Sequence, residues 1–114
     1  MSIKDALRYL KHNGLNNEKI NSYALVNSGM ILKQCLVMFG PCIAGFPVYI
    51  ENDPYFWRAG RGFQGGHCVT ITGYNKDGFI IRNSWGYEWG NKGHITISYN
   101  EFEKAAFECW TITM

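Results

Sequence analysis

One histidine and one asparagine in this 114-residue sequence are spaced so that they can act together. His67 opens a β-type run over residues 67–74, Asn83 closes a second run over 79–83, and the short turn Asn75–Gly78 joins the runs. Because a hairpin folds the chain back midway between them, we expect both residues at the same end of neighbouring antiparallel strands. An asparagine oxygen can accept one ring N–H of a histidine and leave the other ring nitrogen to serve a nucleophile. The spacing therefore indicates the orienting part of a Cys-His-Asn arrangement.

Two longer motifs surround these residues. Gly66-His67-Cys68-Val69 is followed by Gly73-Tyr74, and residues 82–93 then read RNSWGYEWGNKG. These motifs resemble the His and Asn motifs of the papain-like cysteine peptidases, of the form G-H-x-V and N-S-W-G-x-x-W-G-x-x-G. The second is highly specific, because two Trp and three Gly stand at fixed offsets around an Asn. The resemblance is specific over residues 65–93 and extends more weakly over most of the chain. In the weaker parts the sequence looks most like the bacterial and viral members of the family.

The resemblance implies a role for each residue of the motifs. His67 would be the general base and acid, Asn83 its orienter, and Trp85 the indole that covers the His–Asn hydrogen bond. Exclusion of water would strengthen that bond, since a low local dielectric does so. The other motif positions would be packing and turn residues: Trp89, Gly86, Gly90 and Gly93.

The nucleophile of such an enzyme is missing from these residues. A C-G-[SA]-C-[WY]-like segment is expected about 130 to 150 residues before the His, yet 66 residues precede His67 and no such segment occurs. The Gln that helps to form the oxyanion hole would lie upstream of that segment and is missing as well. Gln64 does not correspond to it, and we interpret Gln64 as a residue of a glycine-rich loop.

None of the four cysteines is a good substitute. Cys35 falls on the apolar stripe of a predicted helix and Cys42 in an apolar strand, where burial would raise the pKa of a thiol. Cys68 follows His67 on a strand, so its side chain should point to the opposite face, and Cys109 lies in the last strand. We predict free, mostly buried thiols, because no secretory signal is present to favour disulfides. A metal site built from Cys35, Cys42, His67 and Cys68 stays as the alternative, although close-spaced ligand pairs are lacking. No cofactor is predicted.

Composition narrows the possible partners and locations. The chain is 46% hydrophobic and 16% aromatic but only 18% charged, which suggests an apolar surface that another polypeptide covers. A net charge of +2 with scattered Lys and Arg does not favour nucleic-acid binding. The residues after Met1 contain neither a signal peptide nor a membrane span. We expect a soluble protein, cytoplasmic or part of a large assembly such as a virus particle.

Several elements must position the site. A helix is predicted over residues 2–12 from the Ser2/Asp5 capping box, and a second between Ser28 and Gly40-Pro41. A strand is expected over 42–50, with Pro47 at an edge or bulge, and a loop over 52–66 follows it. The two hairpin strands are joined by a turn with Gly78 at positive φ. A strand over 94–99, a helical turn from Asn100 and a strand over 107–113 complete the prediction. The predicted fold is α+β, a papain-like C-terminal half in which a bent antiparallel sheet or partial barrel carries two N-terminal helices, in a single domain over 1–114.

Two functions remain open from the sequence. The chain is either half of a papain-like thiol peptidase, completed by a Cys- and Gln-bearing segment of a longer precursor or a partner, or a catalytically inactive pseudopeptidase that serves a larger assembly structurally or by binding peptides. In either case we expect no free monomer, with the partner meeting His67, Asn83, Trp85, the loop Gly60–Gly66 and the helix Ser2–Lys11.

Overall fold

A computed structural model describes residues 2–49, 63–83, 86–106 and 108–114. These residues form the helices α1 (Ile3–His12), α2 (Gly29–Phe39) and α3 (Tyr99–Ala105), and the strands β1 (Ser22–Leu25), β2 (Cys42–Tyr49), β3 (Phe63–Tyr74), β4 (Phe79–Arg82), β5 (His94–Ile97) and β6 (Glu108–Thr113). The strands make one sheet in the order β1-β6-β2-β3-β4-β5, and every neighbouring pair is antiparallel. The predicted α+β class and antiparallel sheet are confirmed, and the sheet is open rather than closed into a barrel.

Local hydrogen bonds fix where the first two helices begin. The hydroxyl of Ser2 accepts the backbone N–H of Asp5 at 3.0 Å, and the Asp5 carboxylate accepts the N–H of Ser2 at 3.4 Å. Hydrogen bonding of the Asp5 carboxylate to the Ser2 side chain and to the Ser2 backbone holds the pKa of Asp5 below its usual value. The hydroxyl of Ser28 caps α2 by accepting the N–H of Ile31 at 3.2 Å, and Gly40 ends α2 with φ of 92°. Both helices therefore start and stop as their capping residues predict.

The two faces of the sheet carry separate apolar clusters. On one face, alternate residues of β2 (Cys42, Ala44 and Phe46) are fully buried beneath α2 and α3. On the other face, Leu7 of α1 packs with Ile20 and Trp110. α1 thus covers the second face at β1, β6 and β2, whereas Thr72 of β3 and Arg82 of β4 stay exposed on that face.

The hairpin that was predicted to carry the site is longer than expected. β3 begins at Phe63 and not at His67, because residues 63–66 pair with the second half of β2. The part of the expected loop over 63–66, including Gln64, is therefore strand, while residues 50–62 lie outside the described residues. Pro47 of β2 pairs with Gly66 beyond the end of the β6 pairing, and a bulge follows at Val48/Tyr49. This agrees with the expected edge or bulge position of a proline.

The turn between β3 and β4 contains a glycine at a position where a side chain would not fit. The Asn75 side-chain oxygen accepts the N–H groups of Asp77 at 2.8 Å and of Gly78 at 3.2 Å. Gly78 does not adopt positive φ, so the predicted reason for a glycine is wrong. A Cβ atom there would lie 1.8 Å from the carbonyl oxygen of Ile97, which means that β5 approaches the turn too closely for any side chain.

Two elements, β1 and α3, differ from the sequence prediction. β1 was not predicted, since its four residues are mostly exposed and alternate weakly; they are held by pairing with β6. α3 is capped by Ser98, whose hydroxyl accepts the N–H of Glu101 at 3.2 Å. Tyr99 therefore lies in the helix and not at the end of the preceding strand.

In the described part of the chain, no helix has the length and apolarity to span a membrane.

Replacement of Gly78 by alanine should lower the free energy of unfolding by about 3 kcal/mol or more, because the added Cβ overlaps the Ile97 carbonyl. Gly73→Ala in the same hairpin is the matched control, since its Cβ would meet Ile80 only at 3.9 Å. We expect that control to change stability by less than about 1 kcal/mol. Urea unfolding followed by circular dichroism compares the two variants; equal stabilities would contradict the close approach.

Candidate active site

Strand register brings His67 and Asn83 to one end of the hairpin. Thr70 lies opposite Arg82 and Ile71 lies opposite Ile81, so Asn83, the residue after β4, reaches the level of His67 diagonally. Side chains alternate along a strand, which places His67 on the same face as Ile71, and Asn83 on the same face as Ile81. The predicted proximity of the two residues is confirmed.

The two side chains are joined by a short hydrogen bond. His67 Nε2 lies 2.7 Å from Asn83 Oδ1. An amide oxygen can only accept, so Nε2 carries the hydrogen and Nδ1 is the ring nitrogen that can take up a proton. Asn83 is 5% exposed and His67 is half-buried. The bond is therefore largely shielded from water, which strengthens it.

The loop after β4 holds the asparagine in place. The backbone N–H of Asn83 donates to the carbonyl of Gly93 at 3.0 Å, and Gly93 donates to Trp89 at 2.8 Å. Gly86, Gly90 and Gly93 all adopt positive φ, and a Cβ on Gly90 would lie 2.5 Å from the carbonyl oxygen of His94. Trp89 packs against the main core cluster. These are the packing and turn roles that the resemblance implied, whereas Trp85 lies outside the described residues and its covering role stays a prediction.

A residue next to the histidine was missed by the sequence reasoning. Phe46 of β2 pairs directly with His67, on the same face of the sheet, and is fully buried. Its ring meets that of Phe102 edge-on at 5.6 Å between centroids, so α3 holds it in place. The signal was available in the alternation of Cys42, Ala44 and Phe46, which predicts one buried face of β2.

All four cysteines are free thiols, and three of them are buried: Cys35, Cys42 and Cys109. Burial raises the pKa of Cys109 to about 12, and burial also raises the pKa of Cys42. Cys68 is exposed and pairs with Gly45, on the face opposite His67. Partial burial of its thiol and the negative charge of Glu108 raise the pKa of Cys68.

These thiols fit neither a catalytic nucleophile nor a metal site. A nucleophilic cysteine needs a depressed pKa beside its base, so Cys42, Cys68 and Cys109 are not suited to serve His67, and Cys35 of α2 is buried in the core. The alternative metal site is also unsupported: all four residues proposed for it are described, and in the described part of the chain no three side chains of ligand type converge.

Comparisons with known proteins agree with this geometry. The model of the Peptidase_C39 like family matches residues 4–113. The cathepsin B-like cysteine proteinase 3 of Ostertagia ostertagi is 35% identical over 82 residues, which cover 64% of this chain and 47% of that protein. Mexicain of Jacaratia mexicana is 41% identical over 69 residues, which cover 48% of this chain and 30% of that protein. The chain thus spans about half the length, or less, of these curated relatives.

Solved structures give the same result for the fold. Xylellain, a cysteine protease from Xylella fastidiosa, superposes with a TM-score of 0.71 at 32% identity, over 86% of this chain and 41% of that one. The procathepsin B S9 of Trypanosoma congolense superposes with a TM-score of 0.72 over 96% of this chain and 52% of that one. At 18% identity, the second match supports the fold alone.

The hydrogen-bond geometry predicts opposite tautomers for two histidines. His67 should be the Nε2–H tautomer, whereas His94, whose Nδ1 lies 3.0 Å from the carbonyl oxygen of Lys92, should be the Nδ1–H tautomer. Long-range ¹H–¹⁵N NMR at neutral pH distinguishes the two. Asn83→Ala should convert His67 to a mixture and leave His94 unchanged; a His67 spectrum that does not respond to Asn83→Ala would contradict the orienting bond.

The cysteines should differ in their reactivity and its pH dependence. In the folded chain iodoacetamide should alkylate Cys68, the exposed thiol, well before the three buried thiols. Because the pKa of Cys68 is raised, its thiolate fraction is low at neutral pH, and the rate should still be rising between about pH 8 and about pH 10. Mass-spectrometric mapping over that range measures it, with glutathione as the reference thiol. A rate that levels off near neutral pH would show a depressed pKa, as in a nucleophile.

Proposed function

Because this chain belongs to the Peptidase_C39 like family and is a papain-like cysteine peptidase domain, we propose that it is the histidine-bearing half of a working thiol peptidase. The observation that carries the proposal is the 2.7 Å hydrogen bond from His67 Nε2 to Asn83 Oδ1. A histidine kept only for packing has no need of a buried amide that selects its tautomer. A general base has that need, because the other ring nitrogen must stay available for proton transfer.

In the proposed reaction, Nδ1 of His67 takes the proton of a cysteine thiol, which gives a thiolate–imidazolium pair. The thiolate attacks the carbonyl carbon of the scissile peptide bond, and oxyanion donors stabilise the negative charge on its oxygen. The imidazolium returns its proton to the departing amine, and the acyl group stays bound to the cysteine sulfur as a thioester. His67 then deprotonates water, which hydrolyses the thioester. Throughout the cycle Asn83 keeps accepting from Nε2–H, so the ring stays aimed at the reacting atoms.

The thiol and the oxyanion donors must come from polypeptide beyond these 114 residues. This chain spans 41% of Xylellain and 47% of the cathepsin B-like proteinase 3, so much of the length of those proteins has no counterpart in it. We assign the missing groups to a preceding segment of a longer product or to a partner chain. The raised pKa values of Cys42, Cys68 and Cys109 support this assignment over an internal nucleophile.

Exposed apolar side chains support the proposal that the chain works in an assembly. Met30, Val37 and Met38 on α2 are 75%, 74% and 70% exposed. α1, the helix predicted from sequence to meet a partner, packs its apolar side against the chain's own sheet. We therefore add the outer side of α2 to the surfaces that a partner would cover, together with the end of the hairpin at His67 and Asn83.

A second candidate is a pseudopeptidase that binds peptides or supports a larger assembly. The observation that favours it is the lack, within these 114 residues, of a cysteine with the environment of a nucleophile. In that case His67 and Asn83 would stabilise the hairpin end and perform no chemistry.

An activity-based epoxide probe applied to the native complex separates the two candidates. We expect labelling of a cysteine outside these 114 residues, because the thiolate paired with His67 attacks the epoxide. His67→Ala should lower the labelling rate by about 10²- to 10⁴-fold, the usual contribution of a general base. Asn83→Ala should lower it by a smaller factor, since the base remains but loses its orientation. His12→Ala, which changes an exposed histidine at the end of α1, is the matched control and should leave the rate unchanged.

Labelling that continues at the wild-type rate in His67→Ala would rule out the proposed base. A native complex in which no cysteine of any chain is labelled would favour the pseudopeptidase.

A further inference from the structure

A basic groove crosses the face of the β3–β4 hairpin that points away from the main core. It has a volume of about 500 Å³ and is lined by residues that include Cys68, Thr70, Thr72, Arg82, Tyr87 and Lys92; we call it the outer groove. Among the described residues, the charged side chains that line it are Arg82 and Lys92, both basic and both exposed. Glu108 acts on Cys68 from the β6 side, so the basic part of the groove is its end at Arg82 and Lys92. The outer groove therefore favours negatively charged ligands.

The pairing of β3, β4 and β5 aligns Arg82 with two other polar side chains. Thr70 pairs with Arg82, and Arg82 pairs with His94, so the three side chains form a row on one face of β3, β4 and β5. The Nδ1–H of His94 donates to the carbonyl of Lys92 at 3.0 Å, which keeps Lys92 and His94 close to one another. A carboxylate at this row could meet a guanidinium, an ammonium and a hydroxyl.

The shape of the outer groove fits an extended peptide better than a single small anion. Thr70 and Thr72 of β3 and Arg82 of β4 all line it, so its polar groups are spread along the strand direction and do not converge on one point. Thr72 is the extra residue of the bulge between Ile71 and Gly73. Its hydroxyl donates to the carbonyl of Ile80 at 3.4 Å, so its oxygen can accept an amide N–H from a ligand.

The outer groove lies on the face of β3 opposite His67 and reaches the end of the hairpin where Asn83 is held. Asn83, which bonds to His67, lines the groove together with Gly93. We propose that the outer groove binds an acidic, extended stretch of the polypeptide on which the site acts, away from the bond that is cleaved. This inference rests on the proposed peptidase function, and it names acidic polypeptides as the substrate class.

Binding can be measured without catalysis, on the full chain in the complex in which it is purified. A fluorescent peptide of about ten residues in which Glu alternates with Thr is compared, by anisotropy, with the same peptide carrying Gln for Glu. We expect the Glu peptide to bind and the Gln peptide to bind at least about tenfold more weakly, with affinity that falls as salt is added.

Three variants with the same change in charge locate the binding. Arg82→Gln and Lys92→Gln should each weaken binding of the Glu peptide by roughly three- to tenfold, as expected for partly exposed charge pairs. Lys104→Gln is the control, because Lys104 is exposed on α3 and does not line the outer groove. It should bind the Glu peptide like the wild type.

Three results would overturn the inference: equal binding of the Glu and Gln peptides, equal loss in all three variants, or competition by oligouridylate as strong as that by the Glu peptide. The last would mean that the outer groove recognises charge alone and not an acidic peptide. None of these results depends on a nucleophile, so a failure here leaves the epoxide labelling unaffected. Likewise, loss of labelling in His67→Ala with unchanged peptide binding would separate the base from the outer groove.

Discussion

The hydrogen bond between His67 Nε2 and Asn83 Oδ1 depends on the register of one hairpin, and the proposed chemistry depends on that bond. A slip of one residue between β3 and β4 would move one of the two side chains to the other face of the sheet, because strand side chains alternate. The fold resists such a slip. The Asn75 turn fixes one end of the hairpin, and the bulge at Thr72 fixes the register in its middle. The bond from Asn83 to Gly93 holds the end of β4 against the residue before β5.

Packing on the two sides of the hairpin serves the same purpose. Phe46 lies beside His67 on β2 and is held by Phe102 of α3, so the imidazole meets a rigid apolar neighbour. The loop over residues 86–93 turns through three glycines at positive φ and returns to donate and accept backbone hydrogen bonds next to Asn83. A chain that only needed a stable sheet could use a shorter loop. The length and glycine content of this one are understandable if the asparagine must be held in one orientation.

Local signals in the sequence predicted those parts of the fold that local interactions determine. The caps at Ser2 and Ser28, and Gly40 at the end of α2, act within four residues, so the helix bounds could be predicted. The hairpin and the proximity of His67 to Asn83 could also be predicted, because a short turn relates the two strands. β1, the strand start at Phe63 and the close approach of Ile97 to Gly78 depend on partners far along the chain, and no local pattern contains them. The row of Thr70, Arg82 and His94 was missed for the same reason, since it exists only once three strands are aligned.

The central claim is that His67 is a base prepared for a thiol that another polypeptide segment supplies. Titration of the thiolate by its ultraviolet absorbance, in the assembled protein that contains that thiol, tests this most directly. The account predicts a thiolate that persists well below a pH of about 8.5, the pKa of an ordinary cysteine, and that is lost at neutral pH in His67→Ala. An assembled protein in which the cysteine nearest to His67 titrates like an ordinary thiol, with or without His67, would contradict it.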